Sequence, residues 1–205
     1  KDIEMIELGK SENWLPKKFF AHFHQSQEVL DWTIKVNGPH QLHIPNPKQI
    51  NFLHEGIQIG ETTFGKIQYS TLVNINIDNL QHCYIFNVPL EGVQEIKVKS
   101  STIYSTNNVA AIFSPDQPFS MVLEPNCQKQ MIRISKKNME NHLIRMLGYK
   151  ITRPLIFDIQ APMQGSIKQW FNLAMSLQEF LLEYDSVVDL QGIWNNFENN
   201  LIALL

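Results

Sequence analysis

No apolar run in this sequence approaches the ~18 residues that a transmembrane helix needs. The opening stretch, Lys1-Asp2-Ile3-Glu4-Met5-Ile6-Glu7, has no signal-peptide core. A membrane-bound or exported protein is not expected, and the expected location is the cytoplasm. Cysteine is scarce. Cys83 and Cys127 stand far apart and make neither a CxxC pair nor a disulfide framework, so both are expected as reduced thiols. Basic clusters are missing too. Lys17-Lys18 and Lys136-Lys137 are the only basic pairs, and the formal net charge is −3. Non-specific DNA affinity needs several clustered cations to displace phosphate counterions, so these residues are not expected to bind nucleic acid by themselves. There is no GxSxG elbow, P-loop or GxGxxG turn. Glu91 and Glu95 border a predicted hairpin and are expected to be solvated. Cys83 and its neighbour His82 would face opposite sides of a strand, which leaves no Cys–His pair.

What remains is the composition of an ordinary globular chain of 205 residues, 43% hydrophobic and 18% charged. That length fits one domain, or one domain with a helical appendage. The first residue is not Met, and Leu201-Ile202-Ala203-Leu204-Leu205 ends inside an apolar helical pattern with no stop signal. Both features lead us to expect a piece of a longer chain.

Hydrophobic periodicity changes once along the sequence. From about Ile44 to Ser135 it reads as short strands, and from Ser135 onward as helices, an α+β order. Before the strands, Ser26 to Val36 is expected as a short helix with Glu28 and Asp31 near its start, stopped by Asn37-Gly38-Pro39. Within Thr63 to Asn74, Ile67, Tyr69 and Val73 share a face, with Lys66, Gln68, Ser70 and Asn74 opposite. Within His82 to Leu90, Tyr84, Phe86, Val88 and Leu90 share a face, with Cys83, Ile85, Asn87 and Pro89 opposite. Leu90-Glu91-Gly92 is expected to turn into a return strand over Val93 to Val98, and Asn107-Asn108 to form another turn. Val109 to Phe113, Phe119 to Leu123 and Gln130 to Ile134 complete a strand pattern that suggests a sandwich or barrel.

Ser135 is a plausible N-cap for a helix carrying Met139, Leu143, Met146 and Leu147 on one side and ending at Gly148. A second helix is expected from Ser166 to Tyr184, carrying Ile167, Trp170, Phe171, Ala174, Leu177 and Leu181. Ser186 and Asp189 resemble the N-cap of a third. Leu190, Trp194, Phe197, Leu201 and Leu204 form its stripe.

Several segments carry a resemblance. Tyr84-Ile85-Phe86-Asn87-Val88-Pro89-Leu90-Glu91-Gly92 is similar to a hairpin of the sensor domains of AraC/XylS-type bacterial transcription activators. Asn108-Val109-Ala110-Ala111-Ile112-Phe113-Ser114-Pro115-Asp116-Gln117-Pro118-Phe119 resembles the segment that follows it there. Pro39-His40-Gln41-Leu42 upstream, Arg133-Ile134 with its helix to Leu147-Gly148, and Pro154-Leu155-Ile156-Phe157-Asp158 occur in the matching order. The resemblance runs from about Ser26 to the end, and its specificity lies in that order. Asn108 and Asp116 depart from it, standing where glycine is usual, though both residue types tolerate a left-handed turn. The family's double helix-turn-helix region is not among these residues, so DNA binding is implied only for a parent protein.

The resemblance implies a cupin-like antiparallel β-barrel of jelly-roll type over residues 1–160, holding a small-molecule effector. A helical hairpin over 161–205 would pair two subunits into a homodimer. No cofactor or enzyme activity is implied. Candidate effector-binding residues are the aromatics of apolar strand faces, Tyr69, Tyr84, Phe86, Phe113 and Phe119. His40 would either meet the effector or hydrogen-bond a turn. Filled core is the competing reading for each aromatic. Candidate dimer residues are Trp170, Leu177, Leu181, Trp194, Phe197 and Leu201, with a purely internal helix pair as the competing reading.

The rival function is a metal-dependent cupin enzyme. His22-Phe23-His24 with Glu28 has the HxH-x3-E spacing of a cupin metal site, and alternate strand residues would aim both imidazoles the same way. Against it, the motif precedes the expected strands, no glycine stands at the usual distance before it, and Phe119-Ser120-Met121 offers no further histidine where a third ligand is needed.

Overall fold

The computed structural model describes residues 16–183 and 191–205. The opening heptapeptide, Tyr184, Leu190 and the expected cap at Ser186 to Asp189 lie outside the described residues. Among the described residues, twelve strands and four α-helices follow in order. The strands are β1 (Lys17–Phe23), β2 (Gln41–His43), β3 (Phe52–Ile59), β4 (Thr62–Gln68), β5 (Val73–Ile77), β6 (Cys83–Glu91), β7 (Gln94–Val98), β8 (Ser101–Ser105), β9 (Val109–Phe113), β10 (Phe119–Leu123), β11 (Gln128–Ser135) and β12 (Gln160–Pro162). The helices are α1 (Ser26–Asn37), α2 (Lys136–Leu147), α3 (Gly165–Glu183) and α4 (Gln191–Ala203). Among the described residues, no helix is long and apolar enough to cross a membrane.

The strands form two antiparallel sheets, ordered β1-β3-β4-β11-β6-β9-β12 and β2-β5-β10-β7-β8. The result is a two-sheet sandwich with α2, α3 and α4 on the outer face of the larger sheet, α+β as expected. Three layers result, and hence two cores. Ile67, Tyr69, Ile75, Ile85, Phe113, Phe119 and Met121 pack between the sheets. Tyr84, Phe86, Ile132 and Ile134 lie on the outer face of the larger sheet, against Trp170, Leu177, Leu181, Trp194 and Leu201.

Local chemistry explains several boundaries. Ser135 caps α2 by accepting a hydrogen bond from the Asn138 amide at 3.0 Å, and Gly148 closes it. Of the expected α2 stripe only Met139 is buried, while Met146 and Leu147 are exposed. In α1, Val29, Thr33 and Val36 recur at helical spacing and face inward.

Other boundaries differ from expectation. Strands begin at Lys17 and not near Ile44. In β1, Phe19 and Ala21 point in, but Phe20 is exposed, which blurs the alternation. The run from Thr63 to Asn74 is two strands in different sheets, broken where Ser70 adopts φ 57°. The expected hairpin across Leu90-Glu91-Gly92 does not form, because β6 and β7 belong to different sheets. Gly92 makes that crossing at φ 70°, and a Cβ there would lie 2.7 Å from Cys127 Cα. Asp116 takes the left-handed conformation, φ 63°. Asn108 does not; its turn is closed by reciprocal Thr106–Val109 backbone bonds of 3.0 and 3.1 Å.

Candidate functional site

Strand β11 is central in the larger sheet, and side chains on both its faces are buried. Ile132 and Ile134 face the helices, and Gln130 donates to Gln178 Oε1 on α3 at 2.8 Å. Lys129, Met131 and Arg133 alternate with them and face the inter-sheet space. Strand β6 alternates likewise, with Cys83, Ile85 and Asn87 inward. Opposite them stand Ile75 of β5 and Phe119 and Met121 of β10. Together these walls enclose a cavity of about 460 Å³, rimmed by Gly38-Pro39-His40 after α1 and by Asp78 to His82 before β6. That volume is within the range of small-molecule pockets, and the lining is apolar with a few polar groups.

The polar groups are unusual. Lys129 is 3% exposed. Its ammonium lies 3.4 Å from the Met121 sulfur, a weak acceptor. Burial pushes its pKa down to about 8. The Arg133 guanidinium donates to the Val36 carbonyl at the end of α1. Among the described residues, no carboxylate forms an ion pair with Lys129 or Arg133. Asn87 is buried, and its Oδ1 has no hydrogen-bond partner. Burial raises the Cys83 thiol, with Arg133 working against it, and burial likewise raises the Tyr69 phenol.

His40 lines the cavity mouth and also holds its turn. Its Nδ1–H donates to the Gly38 carbonyl at 2.7 Å, and Nε2 lies 3.1 Å from the Thr33 hydroxyl. Burial lowers its pKa. Beneath α1, His54 is fully buried; its Nδ1 accepts from the Trp32 indole N–H at 3.1 Å. The proton therefore resides on Nε2, which has no partner. Burial, reinforced by Lys129 and Arg133, holds its pKa down at about 3.

The structure divides the residues singled out in the sequence. Tyr69, Phe113, Phe119 and His40 line the cavity, with Phe113 and Phe119 stacked across the two sheets at 4.0 Å. Tyr84 and Phe86 do not. They occupy the opposite face of β6, where Tyr84 donates to the Leu155 carbonyl at 2.9 Å and Phe86 packs 4.6 Å from Trp170. The alternation was legible, but the aromatic face meets helices and the mixed face meets the cavity. The cavity residues that sequence reasoning missed are Lys129, Arg133, Asn87, Met131 and Cys83. One signal could have found them, namely a lysine and an arginine in step with Met131 on an otherwise apolar central strand.

The helix residues divide as well. Trp170, Leu177, Leu181, Trp194 and Leu201 are buried within the chain, and Trp170 donates to the Leu201 carbonyl at 2.7 Å. They join α3 and α4 to the sheet and to each other. Of the six, Phe197 alone is exposed, at 36%, beside the exposed Phe180 at 6.3 Å.

The residues of the rival metal site do not assemble. His22 lies in β1, an edge strand, and its exposed ring is tilted by 59° against that of the exposed His24, with centroids 4.7 Å apart. His22 Nε2 is 2.7 Å from Asn51 Oδ1. Glu28 belongs to α1, and among the described residues no group of three His, Cys, Asp or Glu side chains is placed to hold a metal ion.

This arrangement has relatives. The probable thc operon regulatory protein of Rhodococcus erythropolis is 24% identical over 148 residues, which cover 70% of this chain and 45% of that protein. The chain thus spans less than half the length of this curated relative. Among solved structures, the AraC-like transcriptional activator CuxR superposes with a TM-score of 0.65 at 8% identity, over 92% of this chain and 69% of the other, a likeness of fold. The model of the AraC-binding-like domain matches residues 29–205, from the first turn of α1 through both sheets to the last helix. The chain therefore belongs to the AraC-binding-like domain family.

Proposed function

We propose that this chain is the ligand-sensing module of a bacterial transcription regulator, acting by binding and not by catalysis. The observation that carries the reading is the cavity of about 460 Å³ between the sheets. Strand β11 presents Met131 to that cavity and, on its other face, Ile132 and Gln130 to the helical layer. A ligand that favours one packing of β11 biases the helices through the same backbone, which is the differential affinity that coupling between sites requires. In this reading, residues 1–160 hold the effector and residues 161–205 transmit its presence. DNA contact belongs to a further domain of a longer, cytoplasmic protein.

Pairing of two copies falls on the exposed apolar residues Phe180 and Leu182 of α3, Phe197 of α4 and Leu204 just beyond it, in place of the buried stripe. A self-complementary surface of this kind suits an isologous dimer.

The test is a thermal-shift screen of small organic metabolites. A true ligand at about 100-fold over Kd stabilises by about 2.7 kcal/mol, or about 5–10 °C for a chain of this size. Ile85→Trp, which fills the cavity, should abolish that shift. A shift that persists in this variant would place the ligand elsewhere and refute the reading.

A further inference from the structure

We propose that the cavity ligand is an organic monocarboxylate with an apolar body, its carboxylate paired with Lys129. This rests on the reading that the cavity is the effector site.

Lys129 sits where a lysine is costly. An ammonium removed from water without a counter-charge costs several kcal/mol, and here its neighbour is a thioether at 3.4 Å. Among the described residues, Asp78 is the one carboxylate lining the cavity; it is exposed at the rim and pairs with neither Lys129 nor Arg133. A purely structural position on a central strand would take methionine or leucine at lower cost. Among the described residues nothing neutralises this charge, which suits it to an anionic ligand. Asn87 also lines the cavity, is 2% exposed and leaves Oδ1 unpaired; as an acceptor it calls for a hydroxyl or N–H donor on the ligand and not for the carboxylate. On the paired strand, Asn87 lies opposite Met131 and Pro89 opposite Lys129, so the amide and the ammonium are diagonal neighbours.

The donor set selects a single carboxylate over a phosphoryl group. Arg133 is four residues along the strand, roughly 13 Å away backbone to backbone; its guanidinium donates to the Val36 carbonyl and its buried Nε has no partner. One ammonium cannot neutralise a dianion with three oxygens. The remaining walls, Ile67, Ile75, Ile85, Phe113, Phe119 and Met121, fit an aromatic or aliphatic body.

The test uses matched acids and amides as probes: 4-phenylbutyrate and octanoate against 4-phenylbutyramide and octanamide, titrated calorimetrically into the chain. At least one acid should bind, and should bind at least about thirtyfold more tightly than its amide. Lys129→Met should erase that preference while leaving the protein no less stable, and Lys129→Gln repeats the comparison should the first variant fail to fold. If acid and amide bind equally and Ile85→Trp blocks both, the carboxylate inference is overturned and the cavity reading survives. If no probe binds, the carboxylate inference is overturned and the thermal-shift screen decides the cavity reading; if binding survives Ile85→Trp, both fall.

Discussion

Acidification should weaken this fold at one identifiable residue. His54 is fully buried beneath α1, and its pKa is lowered from 6.5 to about 3, first by burial and then by Lys129 and Arg133. In the unfolded chain the same imidazole titrates near its ordinary value. The folded form therefore resists a proton that the unfolded form accepts. Stability is complete above the unfolded pKa and declines as pH falls from 6.5 toward 3. Between about pH 7.5 and about pH 5 the proton uptake of one such histidine amounts to about 2 kcal/mol. His40 is also depressed and adds in the same direction. Urea unfolding followed by tryptophan fluorescence at both pH values measures the loss, provided the slope with denaturant stays constant. His54→Gln keeps an acceptor for Trp32 and cannot titrate. Whatever its absolute stability, its loss over this interval should be smaller than that of the unmodified chain by about 2 kcal/mol. Equal losses would mean that His54 is not the acid-sensitive group. The residue matters to the cavity because Trp32, its hydrogen-bond partner, belongs to the helix whose end forms the rim.

Further predictions separate the two cores, the sheet spacing and the dimer face. Phe86→Ala should cost about 3–5 kcal/mol in denaturant unfolding with ligand affinity unchanged, whereas Phe113→Ala should alter affinity as well, measured by calorimetry with any ligand from the screen. Gly56→Ala should destabilise by more than about 3 kcal/mol, because its Cβ would lie 2.1 Å from the Phe64 carbonyl oxygen and 2.6 Å from Phe19; a melting temperature within a few degrees of the unmodified chain would contradict this. Phe180→Glu combined with Phe197→Glu should yield a well-folded monomer by light scattering. Trp194→Glu, which places a charge at a 1% exposed position, should unfold the chain instead.

The sequence by itself determined the local features, because each depends on a few neighbouring residues. Ser135 and Gly148 mark the ends of α2, Asn37-Gly38 ends α1, and the alternation along β6 and the helical register of Trp170, Leu177 and Leu181 follow from side-chain spacing. Strands first and helices afterwards fixed the α+β class. The order of the matching segments pointed to the family, and the match to residues 29–205 agrees.

Tertiary structure alone decided which face of each element met which core. A central strand covered on both sides is apolar on both sides, so the pattern of Cys83 to Val88 reports its period but not its orientation. Tyr84 and Phe86 went to the helices for that reason, and Asn87 to the cavity. The turn after β6 looked like a hairpin because nothing local distinguishes a chain that folds back on its own sheet from one that crosses to the other. Long-range pairing makes that choice, by setting β6 beside β11 and β7 beside β10. The same pairing carries Lys129 into the interior, where the absence of a neighbouring carboxylate becomes a chemical fact about a site and is no longer a feature of a strand.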